Sequence, residues 1–96
     1  MPKGYLIAQL KVTDPDQYAV YGAAATTLLK EYGGRVFVKP ETALAVEGTP
    51  RPRTIIFEFE SFDRAKAFWE SQEYGDAKAL RVDAAEADFI LIEGVD

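Results

Sequence analysis

Thr54-Ile55-Ile56-Phe57-Glu58-Phe59-Glu60-Ser61-Phe62-Asp63 is the stretch whose reading decides the fold. It describes a strand that runs directly into a helix start. In extended chain, successive side chains point to opposite faces. Ile55, Phe57 and Phe59 therefore share one face, and Thr54, Ile56, Glu58 and Glu60 share the other. The first face is apolar throughout and calls for helices against it. The second is mixed, so what covers it is the question the rest of the chain must answer.

Upstream, Tyr5 to Val12 repeats this two-faced character, with Leu6, Ala8, Leu10 and Val12 against Tyr5, Ile7, Gln9 and Lys11. Thr13-Asp14-Pro15-Asp16-Gln17 is a helix start: Asp14 caps, Pro15 fits the first turn, and Gln17 stands where a capping-box partner belongs. Tyr18, Tyr21, Gly22, Ala25, Leu28, Leu29 and Tyr32 then recur at helical spacing, and Gly33-Gly34 ends the helix. Arg35 to Lys39 reads as a short strand, Pro40-Glu41-Thr42 as a turn, and Ala43 to Glu47 as a weaker edge strand. Gly48 to Pro52 is a loop, because its two prolines prevent a regular ladder.

Downstream, Ser61 caps a second helix that turns Phe62, Ala65, Phe68 and Trp69 inward. Ser71 restarts the helix, and the spacing predicts a third segment over Glu73 to Ala85 with Tyr74, Ala77, Arg81 and Ala84 on one stripe. Asp88 to Glu93 is the last strand, with Ile90 and Ile92 opposite Phe89 and Leu91. The order βαββαβ, its second helix split, is that of an α+β, ferredoxin-like domain: an antiparallel sheet with helices on one face. Residues 1–96 make one such domain.

Its helices can shield only one face. The other presents Ile7, Phe37, Ile56, Ile90 and Ile92. At about 25 cal/mol per Å² of apolar surface, leaving even a few hundred Å² wet forgoes several kcal/mol. The simplest cover is a second copy of the chain, sheet to sheet about a two-fold axis.

Composition narrows the chemistry. There is no Cys and no His. Disulfides, thiolate chemistry, Cys/His zinc sites and a Ser-His-Asp triad are excluded, and so is the usual histidine ligand of haem. The net charge is −5 and the 11 Lys and Arg are scattered, so neither nucleic acid nor an anionic membrane surface is an expected partner. No metal and no cofactor are assigned. Without an apolar span or a signal-peptide pattern, the expected location is cytoplasmic.

Gly33-Gly34-Arg35, Glu47-Gly48, the Ile55-to-Phe59 strand ending in Ser61-Phe62, Ala67-Phe68-Trp69, Ser71-Gln72-Glu73-Tyr74 and Arg81, in that order, resemble the DUF1330 family over nearly the whole chain. The resemblance implies the dimeric α/β-barrel superfamily, which also holds cofactor-free monooxygenases, dye- and chlorite-type haem enzymes and small-molecule binders. Lys39-Pro40-Glu41 departs from it, standing where many members have a Gly-rich turn.

The candidate site residues follow from these faces. Arg81, seven residues from Tyr74 on an inward stripe, can hold a carboxylate ligand in a bidentate pair or serve a structural ion pair. Arg35, Gln9 and Glu58 lie on the mixed sheet face, where they form a polar network suited to fixing dimer register, with Glu58 also a candidate general base. Tyr18, Tyr21, Trp69 and Tyr74 can wall a small apolar pocket or simply fill the core. The functional expectation is a small homodimer that binds an organic molecule between sheet and helices. The alternatives are a cofactor-independent monooxygenase- or isomerase-like enzyme, with Glu58 and Arg81 as candidate catalytic residues, and a structural or regulatory dimer without a ligand.

Overall fold

The structure, a computed structural model, describes residues 2–96. Four strands and three helices follow in order: β1 (Gly4–Val12), α1 (Pro15–Glu31), β2 (Arg35–Val36), β3 (Arg53–Phe59), α2 (Phe62–Glu70), α3 (Gln72–Ala79) and β4 (Ala85–Glu93). The strands form one antiparallel sheet in the order β2-β3-β1-β4. Its Cα envelope of 37 × 34 × 17 Å is two layers deep, a sheet with helices on one side. This is the ferredoxin-like α+β plan. Among the described residues no helix is long and apolar enough to cross a membrane.

Register converts the alternation in sequence into two distinct surfaces. Leu6 pairs with Phe57 and Leu91, and Ala8 with Ile55 and Phe89, so these side chains meet the helices. Leu6, Ala8, Leu10, Ile55 and Phe59 are buried there with Tyr21, Leu29, Phe68 and Tyr74. On the reverse face, pairing aligns two rows. Phe37 bonds to Ile56 through its N–H, and Ile56, Ile7 and Ile90 continue that row; Arg35, Glu58, Tyr5 and Ile92 form the next. Phe37, Ile90 and Ile92 are each about half exposed, at 46%, 56% and 50%.

The helix ends are set by local chemistry. The Asp14 carboxylate accepts from the Gln17 N–H, the Ser61 hydroxyl from Arg64 and the Ser71 hydroxyl from Tyr74. α1 ends with Gly33 in the left-handed region (φ 75°), its N–H bonded to the Lys30 carbonyl while Gly34 bonds to Leu29. These two bonds are those of a Schellman cap.

Three expectations are corrected. Ala43 to Glu47 forms no strand: Pro40–Thr42 makes one 3₁₀ turn, and residues 43–52 are exposed or nearly so and irregular. Proline at 40, 50 and 52 denies this segment ladder donors. β2 accordingly has two residues, not five. α3 stops at Ala79 rather than Ala85, and the chain turns over residues 80–84 so that β4 begins at Ala85, three residues early. The Ala84 carbonyl accepts the N–H groups of Thr13 and Asp14, which ties this turn to the end of β1.

Candidate functional site

On the helix side a cavity of about 200 Å³ lies between α1 and the sheet. Small residues open it: Gly22 and Ala25, three apart on the inner side of α1, face Ala8 of β1. Phe57, Phe68 and Phe89 supply apolar wall, and Val36 and Arg53 form part of its more exposed rim. Tyr18, Tyr21 and Tyr74 also line it.

The two deeper tyrosines meet hydroxyl to hydroxyl, with 2.9 Å between oxygens. Tyr21 comes from α1 and Tyr74 from the first turns of α3, both inward by helical spacing. Behind them lies Arg81. It is 7% exposed, donates through Nη2 to the Tyr74 hydroxyl at 3.5 Å, and rests on the Phe89 ring with its Cζ 4.3 Å from the centroid and on the Tyr21 ring at 5.4 Å. Its Nε finds no partner, and among the described residues no carboxylate lies within ion-pair distance. Trp69 packs on Tyr74 at 4.9 Å and on Phe89 at 5.1 Å, which closes the back of the cluster.

Burial sets the electrostatics. It pushes the Tyr21 hydroxyl far above the ordinary tyrosine range, and the Tyr74 hydroxyl adds to the shift. Tyr18 is raised by burial too, against the opposing pull of Arg53 and Arg81. For Arg81, burial is the largest influence and favours loss of the proton, but the hydrogen bonds and electrostatic pull of Tyr74 and Tyr21 together outweigh it, so the guanidinium stays charged. Tyr18 and Tyr21 therefore keep their protons near a fixed positive charge.

The open face holds a second polar group. Arg35 Nε donates to Glu58 Oε1 at 3.0 Å and its Nη2 lies 2.8 Å from the same oxygen, while the Tyr5 hydroxyl donates to Oε2 at 3.3 Å. Tyr5 is raised by burial and by the Glu58 carboxylate. Four residues along β1 and β3, the Gln9 amide bonds to the Thr54 hydroxyl, and Arg51 pairs with Asp88.

The residues singled out in the sequence thus fall into two groups separated by the sheet. Tyr18, Tyr21, Trp69, Tyr74 and Arg81 come together on the helix side; Arg35, Glu58 and Gln9 lie on the reverse side and do not touch the cavity. Arg81 sits in the turn after α3, not on the helix, and still points inward because its N–H closes on the Lys78 carbonyl. Sequence reading missed Phe89 as the surface beneath Arg81, although its alternation with Ile90 already placed it toward the helices. It also missed Tyr5 as a partner of Glu58, which only the Tyr5–Glu58 register brings together. Among the described residues no group of three or more Asp or Glu gathers to hold a metal ion.

Known proteins show where this architecture recurs. A crystallised protein of unknown function from Rhodopseudomonas palustris superimposes with a TM-score of 0.73 at 18% identity, covering 99% of this chain and 84% of its own. SnoaB, a cofactor-independent oxygenase from Streptomyces nogalater, superimposes at 0.67 with 10% identity, over 100% of this chain and 96% of its own. A dimeric protein of unknown function and ferredoxin-like fold from Bacteroides fragilis reaches 0.59 at 16% identity, with 95% of each chain covered. At such identities the likeness is one of fold. No curated protein matches the sequence. The profile of the domain of unknown function DUF1330 matches residues 3–95, essentially the whole chain, and this chain belongs to that family.

Proposed function

We propose that this protein is a homodimer that binds a small organic molecule in the cavity between α1 and the sheet. The observation that carries the reading is the cavity itself: about 200 Å³, walled by aromatic and small side chains and supplied with two buried tyrosines as polar groups. An apolar recess with a few converging polar groups is the common form of a small-molecule site. A well-packed core, by contrast, leaves few voids larger than a water molecule.

The dimer is supported by the open sheet face. Its central row, Phe37-Ile56-Ile7-Ile90, is wholly apolar, and the row beside it carries the Arg35–Glu58 pair. An apolar centre with ion pairs toward the edge is the anatomy of an interface. The dimeric Bacteroides fragilis protein of the same fold adds support.

The test is a melting-shift screen of the purified protein against a library of small metabolites, repeated with Ala25→Leu, which fills the recess. The reading expects at least one compound to raise the melting temperature in the parent and not in Ala25→Leu. A library without a hit, or hits indifferent to Ala25→Leu, overturns it.

A second reading is cofactor-independent oxygenation of the bound molecule. It is favoured by the Tyr21–Tyr74 hydroxyl pair beside Arg81, which can carry a proton or stabilise an anion within the cavity, and by the shared fold of SnoaB. Oxygen consumption with a bound compound supports it, and its absence with every hit removes it.

A further inference from the structure

The polar end of the cavity has a donor surplus. Arg81 only donates, and each tyrosine hydroxyl donates once. Tyr21 and Tyr74 share one hydrogen bond between them, which uses one of their two protons. Whichever hydroxyl gives that proton, the other keeps one for which no acceptor is present among the described residues. Behind the pair lies a buried guanidinium with no carboxylate beside it and an unpartnered Nε. A buried charge without a counter-charge is costly, and an anion close by relieves that cost. Every group at this end therefore lacks the same thing, an acceptor bearing negative charge.

We propose that the Tyr21–Tyr74 hydroxyl pair, backed by Arg81, is the recognition end of the cavity and takes the carboxylate of a small, largely apolar acid. The inference rests on the cavity reading above and assigns it a ligand class. One carboxylate oxygen accepts the spare hydroxyl proton, the Arg81 charge offsets the ligand's charge through the pair, and Phe57, Phe68 and Phe89 receive the apolar body. Arg81 is a positioning residue here: it does not line the cavity and acts through Tyr74. No carboxylate lines the cavity, so nothing there repels an acid.

Benzoate and its neutral counterpart benzamide test this, titrated at neutral pH by calorimetry and by aromatic proton shifts. Benzoate is expected to bind about tenfold tighter or more, the difference a charge-assisted hydrogen bond makes over a neutral one. Tyr21→Phe and Arg81→Met are each expected to cost benzoate about tenfold while benzamide stays within about twofold. Should Arg81→Met fail to fold, Tyr74→Phe removes the same link and carries the same expectation. Benzamide binding as well as benzoate overturns the acid class and leaves the cavity reading standing. Benzoate binding indifferent to these variants likewise overturns it. Binding by neither probe, while the metabolite screen does give Ala25→Leu-sensitive hits, also overturns the acid class alone; an empty screen removes both readings together.

Discussion

The hydroxyl oxygens of Tyr21 and Tyr74 lie 2.9 Å apart although 53 residues separate them in the chain. That contact joins α1 to α3 at the polar end of the cavity, and its electrostatics give a pH signature. The Tyr21 hydroxyl is raised by burial, then by its neighbour Tyr74, with Arg81 opposing and Tyr18 adding slightly.

A tyrosine raised in the folded state binds its proton more tightly folded than unfolded. Its contribution is complete below the unfolded value of about 10 and is lost as pH climbs above that. Stability should therefore fall above about pH 10, and the fall should be shallower in Tyr21→Phe. Denaturant melts across the alkaline range, with tyrosinate absorbance followed in parallel, measure both. Equal slopes in parent and variant would count against the buried pair as the cause.

Arg81→Met separates two roles for the guanidinium. Removing one member of a buried ion pair costs about 3–5 kcal/mol, because the other charge is left stranded. Arg81 has no such partner within reach among the described residues. The variant should therefore melt within about 1 kcal/mol of the parent, or above it, as buried charges exchanged for apolar groups often do. A loss of several kcal/mol in urea melts would reveal a carboxylate partner.

Ile90→Lys addresses the open face. Ile90 ends the apolar row on the edge strand β4, across from Ile7, and is about half exposed. The parent should run at twice the chain mass in light scattering, and the lysine variant at the mass of a single chain, since two like charges at a two-fold interface repel. A parent that is monomeric at micromolar concentration would remove the homodimer.

Two glycines should respond in opposite directions to alanine. A Cβ at Gly4 would stand 2.4 Å from the Ser61 carbonyl oxygen and 2.6 Å from the Phe62 Cα, both backbone, where β1 meets the start of α2. Gly4→Ala should cost at least about 1–3 kcal/mol. At Gly75, inside α3, a Cβ meets nothing within 4 Å, so Gly75→Ala should add about 0.5–1 kcal/mol through helix propensity. Thermal melts of the two variants check the contrast.

Much of this architecture was legible in local patterns. Alternation in Tyr5–Val12 and Thr54–Glu60 marked two strands and both their faces, and Asp14, Ser61 and Ser71 marked three helix starts that the hydrogen bonds bear out. Gly33-Gly34 marked the end of α1. Each is a short-range signal, carried by residues within one or two turns of each other. The end of α3 carries no glycine or proline. It is decided by Ala84, whose carbonyl is engaged by Thr13 and Asp14 from seventy residues away in the chain.

What the chain alone determined is which side chains are apolar, at what period, and where elements begin; that suffices for a sheet with helices on one face and an uncovered face behind. Tertiary structure decided which candidates lie together. Arg35, Glu58 and Gln9 were sorted to one side of the sheet, and Tyr21, Tyr74 and Arg81 to the other, by strand register and by the packing of α3 against α1. The cavity was decided there too, because a void arises only where small residues of distant segments, Ala8, Gly22 and Ala25, face one another. Periodicity is a property of neighbours along the chain, whereas register, contact and empty space belong to segments that meet only after folding.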